Sequence, residues 1–302
     1  MLTRYAQRNL TWIDLVAPTP AEVRALMSEF GIDPLIAEEL MSVSFRSKVE
    51  RRGDTVYAVL HFPAVRGAAR HGTQEIDFVI GKHFLITTRY ETIDPLHSFA
   101  KAFEVSSVLG HGGATHGGHL FASMLRQLYQ ALGSECDLLL GRLQDIEEKI
   151  FGGDERAMVV ELSHTGRTIH DFRQSLAPHS EMLASLEPAL ARFFGPEYSY
   201  YIREAQGSHE RVLRTLENLR DSLGELRATN NSLLTTKQNE AIKIFTMMAF
   251  ITFPLSLLVA IFSMPARYVP LIGTPNGFWI ITGLLAVLAA SFLLFFKHKG
   301  WI

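Results

Sequence analysis

Three histidines close together in the middle of the chain could bind a metal ion, because histidine is the commonest metal ligand among side chains. His111, His116 and His119 lie in or beside the glycine-rich stretch SSVLGHGGATHGG at 106–118. Their spacing matches no zinc or copper pattern, and ordering three ligands on glycines would cost much conformational entropy. We therefore interpret residues 106–118 as a solvated, flexible linker that ends the first domain.

A second group of residues with possible metal chemistry is acidic. Residues 121–188 carry 11 acidic side chains against 6 basic ones, and carboxylate oxygens are ligands that suit magnesium and calcium. The alternative is an ordinary solvated face, which is what a run of charges usually forms. The sequence contains no glycine-rich phosphate loop, no nucleophile elbow and no spaced His/Glu metal motif, so it does not predict an enzyme.

The composition excludes several classes of protein. The 302 residues include 29 basic and 31 acidic side chains, for a formal net charge of −2, and 47% of them are hydrophobic. This balance excludes a disordered polyelectrolyte and gives no basic excess for nucleic acid. The single cysteine, Cys136, excludes an intramolecular disulfide and a cysteine-based zinc site. The first 15 residues hold no apolar run of signal-peptide length, so we expect the chain to start in the cytoplasm.

Many of the apolar residues are concentrated in two C-terminal runs. Residues 244–262 and 278–296 each comprise 19 residues without a charge. A helix of that length is about 28 Å long, close to the roughly 30 Å thickness of a bilayer core. The alternative, a buried helical hairpin in a soluble protein, fits less well with runs of this length. The sequence therefore predicts two membrane spans, at about 244–263 and 278–296, and a lipid bilayer as partner.

Basic residues around these spans predict their orientation. Lys237 and Lys243 precede the first span, and Lys297 and Lys299 follow the second. The loop between the spans carries a single charge, Arg267. We expect a multi-pass protein of the plasma (inner) membrane. Because positive residues stay on the cytoplasmic side, both of its termini should lie in the cytoplasm.

The region before the membrane is predicted to combine helices and strands. Residues 18–30 form an amphipathic helix with Thr19 as its cap. Residues 55–62 alternate between apolar and other side chains and form a strand. The segments 76–80 and 84–88 form a hairpin around a Gly-Lys-His turn.

From Leu120 the pattern is helical as far as the membrane, with a break at Pro196. We therefore divide the chain into three regions. These are a cytoplasmic α/β domain at 1–118, a cytoplasmic helical region at 119–238 and a two-helix membrane domain at 239–302.

The last cytoplasmic helix carries apolar residues at heptad spacing. Its seam comprises Val212, Leu216, Leu219, Leu223, Leu226, Asn230 and Leu233. A polar residue such as Asn230 fixes register in an oligomer, but an amphipathic helix that packs on its own domain has the same spacing. No Pro or Gly interrupts residues 225–253, so we expect one helix from about 198 to 263. Two spans cannot enclose an aqueous path, so we expect several copies to surround one, held together by this seam.

Several stretches resemble the CorA metal ion transporters. YYIRE at 200–204 is similar to that family's Tyr-Phe-Arg-Asp entry to the stalk helix, and TKQNEAIKIFTMMAFITFPLSLLVAIF at 236–262 resembles its pore helix. The ending FFKHKGWI resembles its basic, Trp-terminated tail, and DFVIGKHFLITTRY at 77–90 is a weaker match. The resemblance implies a funnel-shaped homopentamer with an α+β cytoplasmic domain, a long stalk helix and two C-terminal spans. It implies passive flux of divalent cations, magnesium (Mg2+) first and zinc or cobalt behind it.

The resemblance also implies roles for single residues. Asn239 would line the inner pore, Phe245 and Phe253 would form apolar constrictions, and Ser256 would contribute a ring of hydroxyls. These four positions match the family's pore helix, so the pore would be lined by the first span of each copy.

Glu204 occupies the position of an acidic residue of the family's regulatory magnesium site, which lies between subunits. The resemblance therefore implies that cytoplasmic divalent ions bind at Glu204 and gate the pore. Asp33 or Glu38 could supply the partner carboxylate.

The outer mouth departs from the family's pattern. The signature Gly-Met-Asn at the outer end of the first span is replaced by Ser263, Met264 and Pro265. Proline lacks the amide oxygen that asparagine offers to the water shell of magnesium, which gives up water reluctantly. Arg267 adds positive charge, whereas Ser263 and Asn276 could supply a hydroxyl and an amide instead. Two alternatives follow: a channel with altered, even anion, selectivity, or a non-conducting, metal-sensing pentameric scaffold.

Overall fold

The computed structural model describes residues 1–7, 9–44, 46–63, 73–90, 93–109, 116–264 and 276–301. By their internal contacts the residues form two compact units, Met1–Arg227 and Ala228–Ile302. An α+β region is followed by one long helix, which ends in the first of two C-terminal apolar segments. The predicted fold class is therefore confirmed. The division into three regions, with boundaries at 118 and 238, stays a prediction.

The first unit is built on a six-stranded sheet. Its strands are β1 (Leu2–Gln7), β2 (Leu10–Val16), β3 (Lys48–Arg52), β4 (Thr55–Pro63), β5 (Thr73–Ile80) and β6 (Phe84–Arg89). Their order across the sheet is β1-β2-β6-β5-β4-β3. The neighbouring strands are antiparallel except β2 and β6, which run parallel. The predicted strand at 55–62 and the predicted hairpin are both confirmed, as β4 and as the β5–β6 pair.

In the described part of the sequence, two helices lie between strands β2 and β3, and the other six follow the last strand. They are α1 (Pro20–Phe30), α2 (Pro34–Glu39), α3 (Asp94–Leu109), α4 (Gly117–Phe151), α5 (Glu155–Leu176), α6 (His179–Phe194), α7 (Tyr198–Phe262) and α8 (Gly277–His298). Thr19 caps α1 as predicted, because its hydroxyl accepts a hydrogen bond from the Glu22 amide while the Glu22 carboxylate accepts one from the Thr19 amide. This reciprocal pair satisfies two amide groups at the start of the helix.

Both faces of the sheet are covered by helices. On one face Tyr57 and Val79 form a core with the apolar residues of α1 and α2. On the other face Phe78 meets Phe121 of α4 edge to face, with ring centroids 5.0 Å apart. The central strands are therefore apolar on both sides, as strands buried on two faces must be.

Helices occupy both ends of the glycine-rich stretch at 106–118. α3 extends to Leu109 and α4 begins at Gly117, so the prediction of a flexible linker is wrong at both ends. His111 lies outside the described residues. A Cβ atom at Gly117 would lie 2.2 Å from the Gly81 carbonyl oxygen. Glycine is required at position 117 for the close approach of two backbones, not for flexibility.

The seam of α7 packs within its own unit over its first half. Val212, Leu216, Leu219 and Leu223 are all buried in a single chain. α5 supplies part of the contact surface, since Gly166 is so close that a Cβ there would lie 2.9 Å from a Leu223 methyl carbon. The prediction that these four positions hold several copies together is therefore wrong. Heptad spacing produces an apolar stripe, and here the stripe is covered by helices of the same chain.

The second unit consists of α7 from Ala228 onward and α8. These two segments are the parts of the described chain that are long and apolar enough to cross a membrane. Their positions agree with the two predicted spans, and α7 continues without a break from Tyr198 to Phe262, as predicted.

Candidate ion pathway

The four α7 residues predicted to line a pore are all exposed in the single chain. They are Asn239, Phe245, Phe253 and Ser256. Phe245 and Phe253 expose 71% and 74% of their surface, although both are large apolar rings. In a membrane, such exposed rings face lipid, another copy of the chain or the lumen of a pore. The pore-lining role of the four residues stays a prediction.

The same four side chains point in related directions. At about 100° per residue, Ser256 lies roughly 20° from Phe245 and 60° from Phe253 around the helix, and Asn239 lies a further 40° on. The four therefore occupy an arc of about 120°. Met247 faces away from this arc and is buried inside the second unit. One side of α7 thus carries two aromatic rings and two polar side chains.

The outer mouth is described as far as Ser263 and Met264. The Ser263 hydroxyl donates a hydrogen bond to the Ala260 carbonyl oxygen at 3.0 Å, so it is engaged by its own helix. Asn276 is the N-cap residue of α8, and its side chain makes no capping hydrogen bond. Its amide therefore stays a predicted substitute for the missing asparagine. Pro265 and Arg267 lie outside the described residues.

Glu204 forms an ion pair within its own chain. Its Oε2 accepts a hydrogen bond from Arg126 Nη2 of α4 at 3.2 Å. Asp33, one proposed partner, caps α2 by accepting a hydrogen bond from the Leu35 amide at 2.9 Å, and Glu38, the other, is exposed. Among the residues that the structure describes, no group of three or more His, Cys, Asp or Glu could hold a metal ion. Within the described residues of one chain the Glu204 carboxylate is thus paired with Arg126, a partner that sequence reasoning missed.

His116 and His119 lie in an aromatic cluster instead of a solvated loop, so that interpretation is wrong for these two residues. Their rings stack with centroids 3.9 Å apart, and His116 also stacks on Phe194 at 4.4 Å. Burial lowers the pKa of His116 to about 4 and also lowers the pKa of His119 from its ordinary value. Both rings are therefore neutral at pH 7 and contribute packing at the start of α4.

The C-terminal tail is held on α7 by contacts that no sequence motif indicates. Lys243 Nζ donates a hydrogen bond to the Gly300 carbonyl oxygen at 3.3 Å and lies 5.9 Å from the centroid of the Trp301 ring. Trp301 packs on Phe296 with ring centroids 5.7 Å apart. Gly300 has a φ of 68°, a left-handed conformation that glycine adopts without strain. Lys243, which the sequence presents as an orientation signal, thus also fixes the tail.

The chain is similar to known proteins over almost its whole length. The cobalt/magnesium transport protein CorA of Thermotoga maritima is 23% identical to it over 299 residues, which cover 97% of this chain and 83% of that protein. The solved structure of the CorA magnesium transporter of Methanocaldococcus jannaschii matches with a TM-score of 0.85 at 21% identity, covering 99% of this chain and 93% of that one. The full-length CmaX protein matches with a TM-score of 0.75 at 17% identity, covering 97% and 89%.

These likenesses extend along the α+β region, the long helix and both apolar segments. The family model described as CorA-like Mg2+ transporter protein matches residues 7–298, almost the whole chain. The chain therefore belongs to the CorA-like Mg2+ transporter family.

Proposed function

We propose that this protein forms a homopentameric pore in the plasma (inner) membrane that passes divalent metal cations down their gradient, with both termini in the cytoplasm. The observation that supports this most is the exposed face of α7, where the rings of Phe245 and Phe253 lie in the charge-free span, between the polar side chains of Asn239 and Ser256. Relatives named as cobalt/magnesium transport proteins support magnesium and cobalt as cargo. Zinc is a further candidate that rests on the family resemblance of the sequence alone. They do not favour the anion channel or the non-conducting scaffold.

The chemistry of the α7 face suits an ion that keeps its water shell. The amide oxygen of Asn239 and the hydroxyl of Ser256 can accept hydrogen bonds from the waters around a magnesium ion. The rings of Phe245 and Phe253 would narrow the path between these two polar positions. Apolar constrictions close a pore by excluding water, so these two rings are our candidate gate.

The proposal is tested by flux into proteoliposomes that contain the full-length protein. We expect uptake of Mg2+ and Co2+ along an imposed gradient, without an energy source, and no chloride flux above that of empty liposomes. Chloride flux in place of Mg2+ flux would identify the anion channel. No flux of any of these ions would favour the scaffold.

Phe253→Ala is expected to raise the Mg2+ leak of the closed channel severalfold, because the substitution removes a ring that excludes water. Proteoliposome flux at high internal Mg2+ measures the leak. Met248→Ala is the matched control, since Met248 is also exposed and lies about 140° from Phe253 around α7. Equal leaks in the two variants would show that Phe253 only packs in the membrane.

We further propose that Glu204 contributes to a regulatory divalent-ion site whose other ligands come from a second copy. A ligand shifts a gating equilibrium only by its differential affinity for the two states. Glu204→Gln should therefore weaken inhibition by internal Mg2+. Arg126→Gln should strengthen it, because the variant frees the Glu204 carboxylate from a competing cation.

The midpoint of Mg2+ inhibition in proteoliposomes checks both variants. An ordinary salt bridge predicts a different pattern, in which the two substitutions have the same effect and each costs at most about 1 kcal/mol of stability. Midpoints that move together, or not at all, would assign Glu204 and Arg126 to that structural role.

A further inference from the structure

An apolar groove on the second unit ends at a basic side chain. It has a volume of about 710 Å3 and lies between Phe250 of α7 and one side of α8. Leu288, Phe292 and Phe295 line its length, and Lys299 lies at its end. The groove is therefore hydrophobic along most of its wall and positive at one end.

The basic end is built by contacts that the structure shows. Trp301 also lines the groove, and its ring is held between Lys243 and Phe296. Tryptophan prefers the level of the lipid headgroups, where its ring is half in hydrocarbon and its N–H meets polar groups. Lys299 and Trp301 therefore mark this end of the groove as the headgroup level.

The length of the groove corresponds to one leaflet. Leu288 and Lys299 are 11 residues apart, which is about 16 Å along a helix. The hydrocarbon core of a bilayer is about 30 Å thick, so this distance is roughly half of it. The groove thus reaches from the headgroup level to the middle of the membrane.

The charge of the groove selects between its two conceivable occupants. Between Ala228 and Ile302 the sequence has one acidic side chain, Glu240, and none follows it. The uncharged spans of a second copy, 244–262 and 278–296, would therefore cover Lys299 without offering it a carboxylate, and a buried charge without a partner is costly. A lipid phosphate offers that partner, and acyl chains match the apolar wall.

We propose that this groove binds an anionic phospholipid of the cytoplasmic leaflet. Its phosphate contacts the Lys299 ammonium beside Trp301, and an acyl chain lies along Phe250, Leu288 and Phe292. The inference rests on the proposed orientation, in which α8 crosses the membrane and ends in the cytoplasm, and not on which ion the protein transports. Its test therefore reads bound lipid instead of flux.

The experiment uses full-length protein reconstituted in vesicles of phosphatidylglycerol and phosphatidylcholine in equal parts. The protein is then extracted in mild detergent, and native mass spectrometry identifies the retained lipids. We expect phosphatidylglycerol to be enriched over phosphatidylcholine on the wild-type protein. Lys299→Gln should reduce this enrichment about fivefold, the effect of one basic residue near anionic headgroups.

Two further variants separate the groove from the general basic surface. Lys297→Gln removes the same charge two residues away but outside the groove lining, so enrichment should stay close to wild type. Ser291→Phe fills the groove from a lining position and should remove retained lipid of both kinds while the mass of the protein assembly is unchanged.

Three results would overturn the proposal. Equal losses for Lys297→Gln and Lys299→Gln would show non-specific attraction to an anionic surface. Unchanged lipid retention in Ser291→Phe would place the lipid elsewhere. If the wild-type protein retained no lipid and Ser291→Phe changed the mass of the assembly, a second copy would be shown to cover the groove.

Discussion

Leu219→Ala is expected to lower the free energy of unfolding of the first unit by about 2–5 kcal/mol. Leu219 is 2% exposed in a single chain, and its seam neighbours Leu216 and Leu223 are buried too. Removing its isobutyl group deletes buried apolar surface and leaves a cavity that the surrounding helices fill only in part. Thermal or denaturant unfolding of the full-length protein in detergent, followed by circular dichroism, measures the loss.

Leu226→Ala is the matched control for this experiment, because Leu226 belongs to the same seam but is only half-buried. We expect a clearly smaller loss of stability there. The mass of the solubilised assembly provides a second readout, which Leu219→Ala should leave unchanged. If that variant dissociated the assembly while the first unit kept its stability, the packing of the seam within one chain would be contradicted.

Acid should destabilise the first unit by about 3 kcal/mol between pH 6.5 and pH 4 through His179 alone. Burial, reinforced by the neighbouring His209, lowers the pKa of His179 from 6.5 to about 3. Because its folded-state pKa lies below its unfolded-state value, the neutral ring contributes full stability above pH 6.5. That contribution falls as pH drops toward 3, at about 1.4 kcal/mol per pH unit.

The geometry around His179 explains why its charged form is excluded. Its Nε2 lies 2.9 Å from the His61 carbonyl oxygen and must donate to it, because a carbonyl oxygen only accepts. Nδ1 lies 2.9 Å from the Tyr129 hydroxyl, and in the neutral ring it accepts a hydrogen bond from that hydroxyl. Protonation of Nδ1 would break the hydrogen bond that this nitrogen accepts from the Tyr129 hydroxyl. His179 is fully buried, so water cannot replace that bond.

Unfolding midpoints measured from pH 7 to pH 4 test this expectation. His179→Gln should flatten the pH dependence, although it lowers stability at pH 7. His170→Gln, at an exposed position on α5, should reproduce the wild-type curve. The same slope in wild type and His179→Gln would assign acid sensitivity to other groups, such as His116 and His209.

The elements that the sequence predicted correctly are those with local signals. Nineteen uncharged residues in a row, the capping box at Thr19 and the turn at Gly81 can each be recognised within one continuous segment of the sequence. The seam and the linker lack such signals. Heptad spacing is the same whether α7 packs on its own unit or on another copy, and a glycine-rich stretch looks the same whether Gly117 supplies flexibility or close approach.

The residues of the candidate site match a family pattern, but their contact partners depend on tertiary structure. Arg126 precedes Glu204 by 78 residues, and Gly300 follows Lys243 by 57. No periodicity links residues so far apart, so these pairs could not be predicted from local patterns. The pore would form between copies, and so the spacing of residues within one chain does not specify it.

The parallel pairing of β2 with β6 has a consequence for biosynthesis. Thr11 of β2 pairs with Phe84 of β6, 73 residues later in the chain. At about 5–20 residues per second, a ribosome needs roughly 4–15 s to make that interval. During this time the β1–β2 hairpin lacks its partner strand and exposes an unpaired edge, the kind of surface that chaperones protect from aggregation. The N-terminal hairpin, although made first, is thus incorporated into the sheet only after β6 has left the ribosome.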